Sequence, residues 1–125
     1  MFGLSLKVVM SKVERFEDLK IWQRSIDLSK SVYMMYGKLS DQGFKSQICR
    51  ASVSVSNNIA EGFERGSDAE FRRFLYISKG SCGEVRSMCH LAIALEIGNK
   101  DSNEKLIIEL TEVSKMISGM IKYLN

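Results

Sequence analysis

Basic side chains recur at seven-residue intervals in the middle of the chain, at Arg65, Arg72, Lys79 and Arg86. Seven residues make almost two turns of an α-helix, so the last three share one helical face, and Arg65 joins them only if the helix starts early. Such a line of cations can contact successive phosphates of a nucleic acid. It can equally form ion pairs with nearby carboxylates, which are Glu61, Glu64, Asp68 and Glu70. The sequence therefore offers a candidate nucleic-acid site, with an ion-paired surface as the alternative.

A second group of polar residues lies near the predicted helix seams and helix ends. It contains Arg50, Asn58, Glu61, Arg73 and Glu84, with Asn57 beside them. Buried polar side chains can fix the register of packed helices. The same side chain types can also line a ligand site. We expect a structural polar network here, and a ligand site is the alternative.

Patterns that mark enzymes, metal sites and cofactor sites are not recognisable in the sequence. Carboxylate-bridged metal sites in helical bundles use Glu-x-x-His pairs. The one histidine, His90, belongs to no such pair, and we expect a packed or interfacial side chain there. The sequence also lacks the nucleophile-elbow, Walker A and dinucleotide-binding motifs. We therefore expect no enzymatic activity, no metal and no cofactor.

The three cysteines also argue against covalent or redox chemistry. Cys49, Cys82 and Cys89 are odd in number and form no C-x-x-C motif. Cys82 and Cys89 would lie about 10 Å apart along one helix, which is too far for a disulfide. We expect reduced core thiols in a cytoplasmic protein.

The segment between Ser56 and Leu75 indicates how these residues are positioned. Gly62 and Gly66 can adopt the left-handed backbone conformation that closes a helix. Ser67 and Glu70 follow with the spacing of a capping box, in which each side chain accepts a hydrogen bond from the other residue's amide. Two helices joined by so short a link pack as an antiparallel hairpin.

Apolar periodicity predicts four helices. Helix one spans about Asp18–Gly37, with Asp18 as its cap, and helix two spans Phe44–Gly62. Helix three spans Asp68 to about Ile97, and helix four starts near Asp101, where Asp101 and Glu104 have the spacing of a second capping box. Val53 and Val55 would also suit a strand, but the helical period continues through helix two. These elements predict an all-α, antiparallel up-down-up-down four-helix bundle. Gly80 and Gly83, within helix three, predict close packing or a bend.

Composition agrees with one domain of 125 residues, without proline and with a formal charge of +3. The basic excess lies early, since residues 1–50 hold nine Lys or Arg against five Asp or Glu. We expect residues 1–12 to be a disordered extension and residues 13–125 to form the bundle. No apolar run reaches membrane-spanning length, and the first residues do not match a signal peptide, so no membrane partner is expected.

Several short motifs, in order, resemble one known family. They are F-E-D-L-K-I-W-Q at Phe16–Gln23, N-I-A-E-G at Asn58–Gly62, R-G-S at Arg65–Ser67, E-F-R-R-F-L at Glu70–Leu75 and G-S-C-G-E at Gly80–Glu84. The chain resembles, from Val13 to Asn125, the four-helix-bundle family encoded by intervening sequences in bacterial 23S rRNA genes. Many members have proline where this chain has Ser56, so any kink in helix two should be weaker here.

The resemblance implies an assembly and a class of partner. The family is similar in fold to the accessory variability protein of diversity-generating retroelements, a barrel-shaped homopentamer that binds nucleic acid and a reverse transcriptase. This implies a homo-oligomer, with a pentamer favoured, and binding of RNA or other nucleic acid. Two apolar stripes on helix one and small residues on helix two agree with contact between subunits.

Three functions remain open from the sequence. The first is a non-enzymatic oligomer that binds structured RNA or other nucleic acid, alone or with an RNA-processing enzyme. The second is a scaffold that binds only proteins. The third is an enzyme whose site matches no known pattern.

Overall fold

The computed structural model describes residues 13–125, and the expectation for residues 1–12 lies outside that range. A short 3-10 turn at Phe16–Asp18 is followed by four α-helices. They are α1 at Lys20–Tyr36, α2 at Gln42–Glu64, α3 at Asp68–Ala94 and α4 at Lys100–Tyr123. The described part contains no strand. The predicted all-α fold is therefore confirmed, and the two valines that would also suit a strand lie in α2.

Neighbouring helices run antiparallel. Each helix packs against the next in sequence, and α4 returns beside α1. The ring of Tyr36, at the end of α1, lies 5.3 Å from the ring of Phe44, at the start of α2. The Tyr36 hydroxyl also donates a hydrogen bond to Asn103, near the start of α4. These contacts give the predicted up-down-up-down bundle.

The core forms where the apolar seams of the four helices meet. The seam of α4 is buried along its length, with every member 8% exposed or less: Leu106, Leu110, Val113, Ile117, Met120 and Leu124. The other helices contribute side chains such as Val32, Ile48 and Leu75, none of which is measurably exposed. Burying each large apolar side chain contributes about 1.5–3 kcal/mol, so these seams are the main source of stability.

The junction between α2 and α3 is shorter than predicted. α2 continues through Gly62 to Glu64, and of the two glycines at this junction only Gly66 takes a positive φ, of 84°. The prediction that Gly62 ends the helix is therefore wrong. A Cβ atom on Gly62 would lie 2.7 Å from Cβ of Phe74, so this glycine serves close contact between α2 and α3. The absence of proline at Ser56 leaves α2 unbroken.

Capping by polar side chains is partly as predicted. The Glu70 amide donates to Ser67 Oγ at 3.2 Å, which confirms Ser67 as the cap of α3. The Glu70 carboxylate instead bonds Arg73, so only half of the capping box forms. Asp18 does not cap α1, because it lies in the 3-10 turn and Leu19 takes the cap position.

The link between α3 and α4 also differs from the prediction. α3 ends at Ala94, before the predicted Ile97. Glu96 and Gly98 both take a positive φ, of 57° and 72° respectively, and this reverses the chain. Asn99, rather than Asp101, then caps α4 by accepting a hydrogen bond from the Ser102 amide at 2.9 Å.

The glycines within α3 do not serve packing inside the protomer. The helix is unbroken from Asp68 to Ala94. A Cβ atom on Gly80 or Gly83 would meet no atom of the described chain within 4 Å. The predicted close approach is therefore absent between helices of one protomer, and α3 shows no break at these residues.

Candidate nucleic-acid interface

The basic stripe lies on the flank of α3 that faces α4. Because α3 runs without a break, Arg72, Lys79 and Arg86 share one side of it. Arg72 Nη1 donates to the Leu124 carbonyl at 2.7 Å, which places this flank beside the end of α4. Arg65 precedes α3, at the C-terminal cap of α2, so it does not share the helical face. The structure therefore brings together three of the four predicted cations.

Arg65 and Arg73 are engaged in local contacts around one aromatic ring. Arg65 Nη2 lies 3.0 Å from a Glu61 carboxylate oxygen, and Arg73 Nε lies 3.0 Å from a Glu70 carboxylate oxygen. Both guanidinium groups also lie over the Phe74 ring, at 4.9 and 4.7 Å from its centroid. These contacts favour the ion-paired alternative for this end of the stripe.

Lys79 and Arg86 remain available to a partner. Neither side chain forms a hydrogen bond or an ion pair with any residue between 13 and 125. Lys79 is exposed and Arg86 is half-buried on the α4 side. Arg72 adds a third positive charge on the same side of α3. We call these three residues, Arg72, Lys79 and Arg86, the α3 flank. This flank is the candidate contact surface for phosphates.

The five residues of the predicted polar network do not form one network within the protomer. Asn58 Nδ2 donates to the Ser54 carbonyl at 2.8 Å and to Ser54 Oγ at 2.9 Å, within α2. Glu61 and Arg73 form the two separate ion pairs described above. Arg50 and Glu84 are exposed and make no hydrogen bond to the described residues. The reason is that four of the five side chains are exposed to solvent, on α2 and on α3. Mainly apolar residues, such as Ile48, Val55 and Ile59, occupy the buried side of α2.

The buried polar contacts are instead made by residues that the sequence analysis did not select. Tyr36 and Asn103 are both fully buried, and Asn103 Nδ2 also donates to the carbonyls of Ile97 and Asn99 at 3.2 Å. Burial raises the pKa of Tyr36 to about 12. The signal was present, since Asn103 continues the seam of Leu106 at helical spacing.

Serines provide further contacts between helices. Ser78 Oγ donates to the Val55 carbonyl at 2.7 Å, between α3 and α2. Ser29 Oγ donates to the Ser52 carbonyl at 3.0 Å, between α1 and α2. These small serine side chains therefore donate hydrogen bonds to backbone carbonyls of a neighbouring helix, which allows the helices to pack closely.

Other reactive groups are dispersed. All three cysteines are free and buried. Burial raises the pKa of Cys82 to about 12, that of Cys89 to about 11, and also that of Cys49. His90 is exposed. In the part of the chain that the structure describes, no cluster of side chains could hold a metal ion, and no helix is long and apolar enough to cross a membrane.

Comparison with known proteins extends these observations. A solved structure of a protein with unknown function from the S23 ribosomal protein family of Bacteroides thetaiotaomicron is similar in fold, with a TM-score of 0.75 and 24% sequence identity. The match covers 82% of this chain and 98% of that one. No curated protein matches the chain. The sequence profile of the 23S rRNA-intervening sequence proteins matches residues 17–119. Because that match covers most of the bundle, the chain belongs to the 23S rRNA-intervening sequence protein family.

Proposed function

We propose that this protein is a non-enzymatic, homo-oligomeric helical bundle that binds structured RNA through the α3 flank. The observation that carries this proposal is the pair Lys79 and Arg86, two helical turns apart and without a carboxylate partner among residues 13–125. Cations already in ion pairs gain less from a phosphate, because they must first release their carboxylates. Cations without a carboxylate partner can bind phosphates, and so release counterions from the nucleic acid, without first breaking an ion pair.

The dispersed reactive groups support a non-enzymatic role. A catalytic thiol needs a lowered pKa, whereas burial raises the pKa of Cys82 and Cys89. A general base is normally held by a second group, and His90 makes no side-chain hydrogen bond to the described residues. The buried, free thiols and the rRNA-related family also support our proposal that the protein acts in the cytoplasm.

The outer face of α3 supports assembly with other copies. Tyr76, Ile77, Leu91 and Leu95 project from this face and are between 44% and 57% exposed. Gly80 and Gly83 lie among them, with open space where a Cβ atom would be. Each glycine costs about 1 kcal/mol relative to alanine within a helix. We propose that this cost is offset when a neighbouring subunit packs on the outer face of α3; the number five rests on the resemblance alone.

Binding of a labelled RNA hairpin to the purified protein tests the proposal. We expect saturable binding at low salt that weakens steeply as salt rises, because phosphate contacts release counterions. The mass of the protein in the same buffer is measured by light scattering. An oligomer that fails to bind the hairpin at low salt would overturn the RNA part of the proposal and favour a protein-binding scaffold.

A further inference from the structure

Tyr33 lies on a second surface of the protomer, separate from the α3 flank. Its ring is 51% exposed and stands between two adjoining grooves. One groove, of about 720 Å³, runs between α1 and α2. The other, of about 620 Å³, lies along the outer side of α1. We call the residues around both grooves the Tyr33 surface, whose charged and amide side chains are Lys30, Lys38, Lys45, Arg50, Asn57 and Asn58.

All the charged residues that line the Tyr33 surface are basic. Lys30 and Lys38 line the outer groove, and Lys45 and Arg50 line the groove between the helices. No Asp or Glu among residues 13–125 lines either groove. The four cations also form no ion pair with the described part of the chain. Since the whole chain has 18 basic and 15 acidic residues, this separation of charge is local.

Neutral polar groups complete the groove between α1 and α2. Asn57 is exposed and its side-chain amide makes no hydrogen bond within residues 13–125. Asn58 uses its amide nitrogen on Ser54, so its amide oxygen can still accept a hydrogen bond. Donors and acceptors of this kind can recognise the edges of bases. From Lys45 to Asn58 the groove follows α2 for about 20 Å at 1.5 Å per residue.

We propose that the Tyr33 surface binds a single-stranded segment of RNA, with one base stacked on Tyr33 and the adjacent phosphates on Lys45 and Arg50. This inference rests on the proposed RNA-binding function and adds a second site to it. An exposed ring can stack only on an unpaired base, because the bases of a duplex already stack on one another. A second copy bound through its own Tyr33 surface is a poor occupant, because it would bring the same four positive charges to this surface.

Two RNA probes separate this inference from the proposed function: a fluorescein-labelled decauridylate, which is single-stranded, and the labelled hairpin. Both are titrated by fluorescence anisotropy against the wild type, Tyr33→Ala, Tyr33→Phe and Lys45→Ala/Arg50→Ala. We expect Tyr33→Ala to weaken decauridylate binding by about fivefold to a hundredfold, the range that loss of one stacked base produces. Tyr33→Phe keeps the ring and should bind within about twofold of the wild type.

Matched variants on other surfaces serve as controls. Ile108→Ala removes an apolar side chain of α4 that is somewhat more exposed than Tyr33, and Lys105→Ala/Lys115→Ala removes two exposed charges from the same helix. Both should retain most of the decauridylate binding. Lys79→Ala/Arg86→Ala should weaken hairpin binding and keep decauridylate binding, because it alters only the α3 flank.

Four results would overturn the inference. Hairpin binding without decauridylate binding would remove the second site and leave the proposed function standing. Equal decauridylate affinity for Tyr33→Ala and the wild type would show that the ring does not stack. Equal competition by polyaspartate would show that the surface selects charge alone. Failure of both probes to bind would overturn the inference and the RNA-binding function together.

Discussion

The contact between Tyr36 and Asn103 ties the end of α1 to the start of α4. Both side chains are fully buried. Asn103 also donates hydrogen bonds to the carbonyls of Ile97 and Asn99, which lie just before α4. The Tyr36 ring lies 3.4 Å from where a Cβ atom on Gly98 would be. One buried polar cluster therefore holds the α3–α4 link, because each of its hydrogen-bonding groups has a partner.

Removing the Tyr36 hydroxyl should destabilise the bundle. Tyr36→Phe leaves the buried Asn103 oxygen without its donor, and we expect the free energy of unfolding to fall by about 1–3 kcal/mol. Urea unfolding at fixed protein concentration measures this. Tyr123→Phe is the control, because the Tyr123 hydroxyl makes no hydrogen bond to the described residues. A loss below about 0.5 kcal/mol for Tyr36→Phe would contradict the account.

The buried thiols should make stability depend on alkaline pH. Thiols of the unfolded chain ionise near pH 9.0, whereas Cys82 in the folded chain has a pKa of about 12. The unfolded state therefore loses its proton first, so this contribution is complete below pH 9 and is lost as pH rises toward 12. For Cys82 alone we expect a loss of about 1 kcal/mol at pH 10.

Urea unfolding between pH 7 and pH 10.5 checks this dependence. The Cys82→Ala variant should show a shallower decline than the wild type, whatever its stability at pH 7. Parallel declines for the two proteins would show that Cys82 is not a source of the effect.

At the scale of residues, the sequence predicted types of environment better than partners. The buried, free state of the three cysteines is confirmed, because apolar seams determine which positions are inside. The partners of Glu61, Glu70 and Arg73 differ from the prediction, although helical spacing indicates them: Glu61 pairs with Arg65 at i,i+4, and Glu70 pairs with Arg73 at i,i+3. The predicted polar network required these side chains to be buried, whereas Glu61 and Arg73 lie on exposed helix surfaces.

At the scale of elements, the glycines have two different roles that sequence alone did not separate. Gly62 and Gly66 were both predicted to close α2, but only Gly66 takes a positive φ. Gly62 lies where α2 approaches Phe71 and Phe74 of α3. Helix periodicity predicted all four helices and both capped junctions around α3. It did not predict that Leu19 occupies the cap position of α1 or that Asn99 caps α4, because neighbouring candidates differ by only one or two positions.

Glycine-to-alanine variants test these roles in matched pairs. Gly62→Ala should lower the free energy of unfolding by about 1–3 kcal/mol, because its Cβ atom meets a backbone-linked atom of α3 at 2.7 Å. Gly80→Ala has open space within the protomer. In the background of Leu91→Glu, which is expected to separate the subunits, it should instead raise the free energy of unfolding by about 0.5–1 kcal/mol. Thermal or urea unfolding distinguishes them, and equal effects of the two variants would contradict the assigned roles.

At the scale of the whole molecule, the predicted four-helix bundle is confirmed. Assembly through the outer face of α3 is a proposal, and substitutions on that face can test it. We expect Leu91→Glu to lower the mass measured by light scattering, since a charge cannot be buried between subunits without a partner. Ile108→Glu, which alters an exposed side chain on α4, should leave the mass unchanged. A wild-type protein that is a monomer at micromolar concentration would remove the assembly proposal. A dimer or tetramer would correct only the number.

The central claim is that the α3 flank contacts phosphates, and the salt dependence of hairpin binding tests it most directly. Lys79→Ala/Arg86→Ala removes the two cations without ion pairs and leaves Arg72, which holds the Leu124 carbonyl, in place. The account predicts weaker binding and a slope of log affinity against log salt that is flatter by about two units, close to one unit per phosphate contact. The control variant Lys105→Ala/Lys115→Ala should keep the wild-type slope. Equal affinity and equal slope for the wild type and an oligomeric Lys79→Ala/Arg86→Ala variant would contradict the claim.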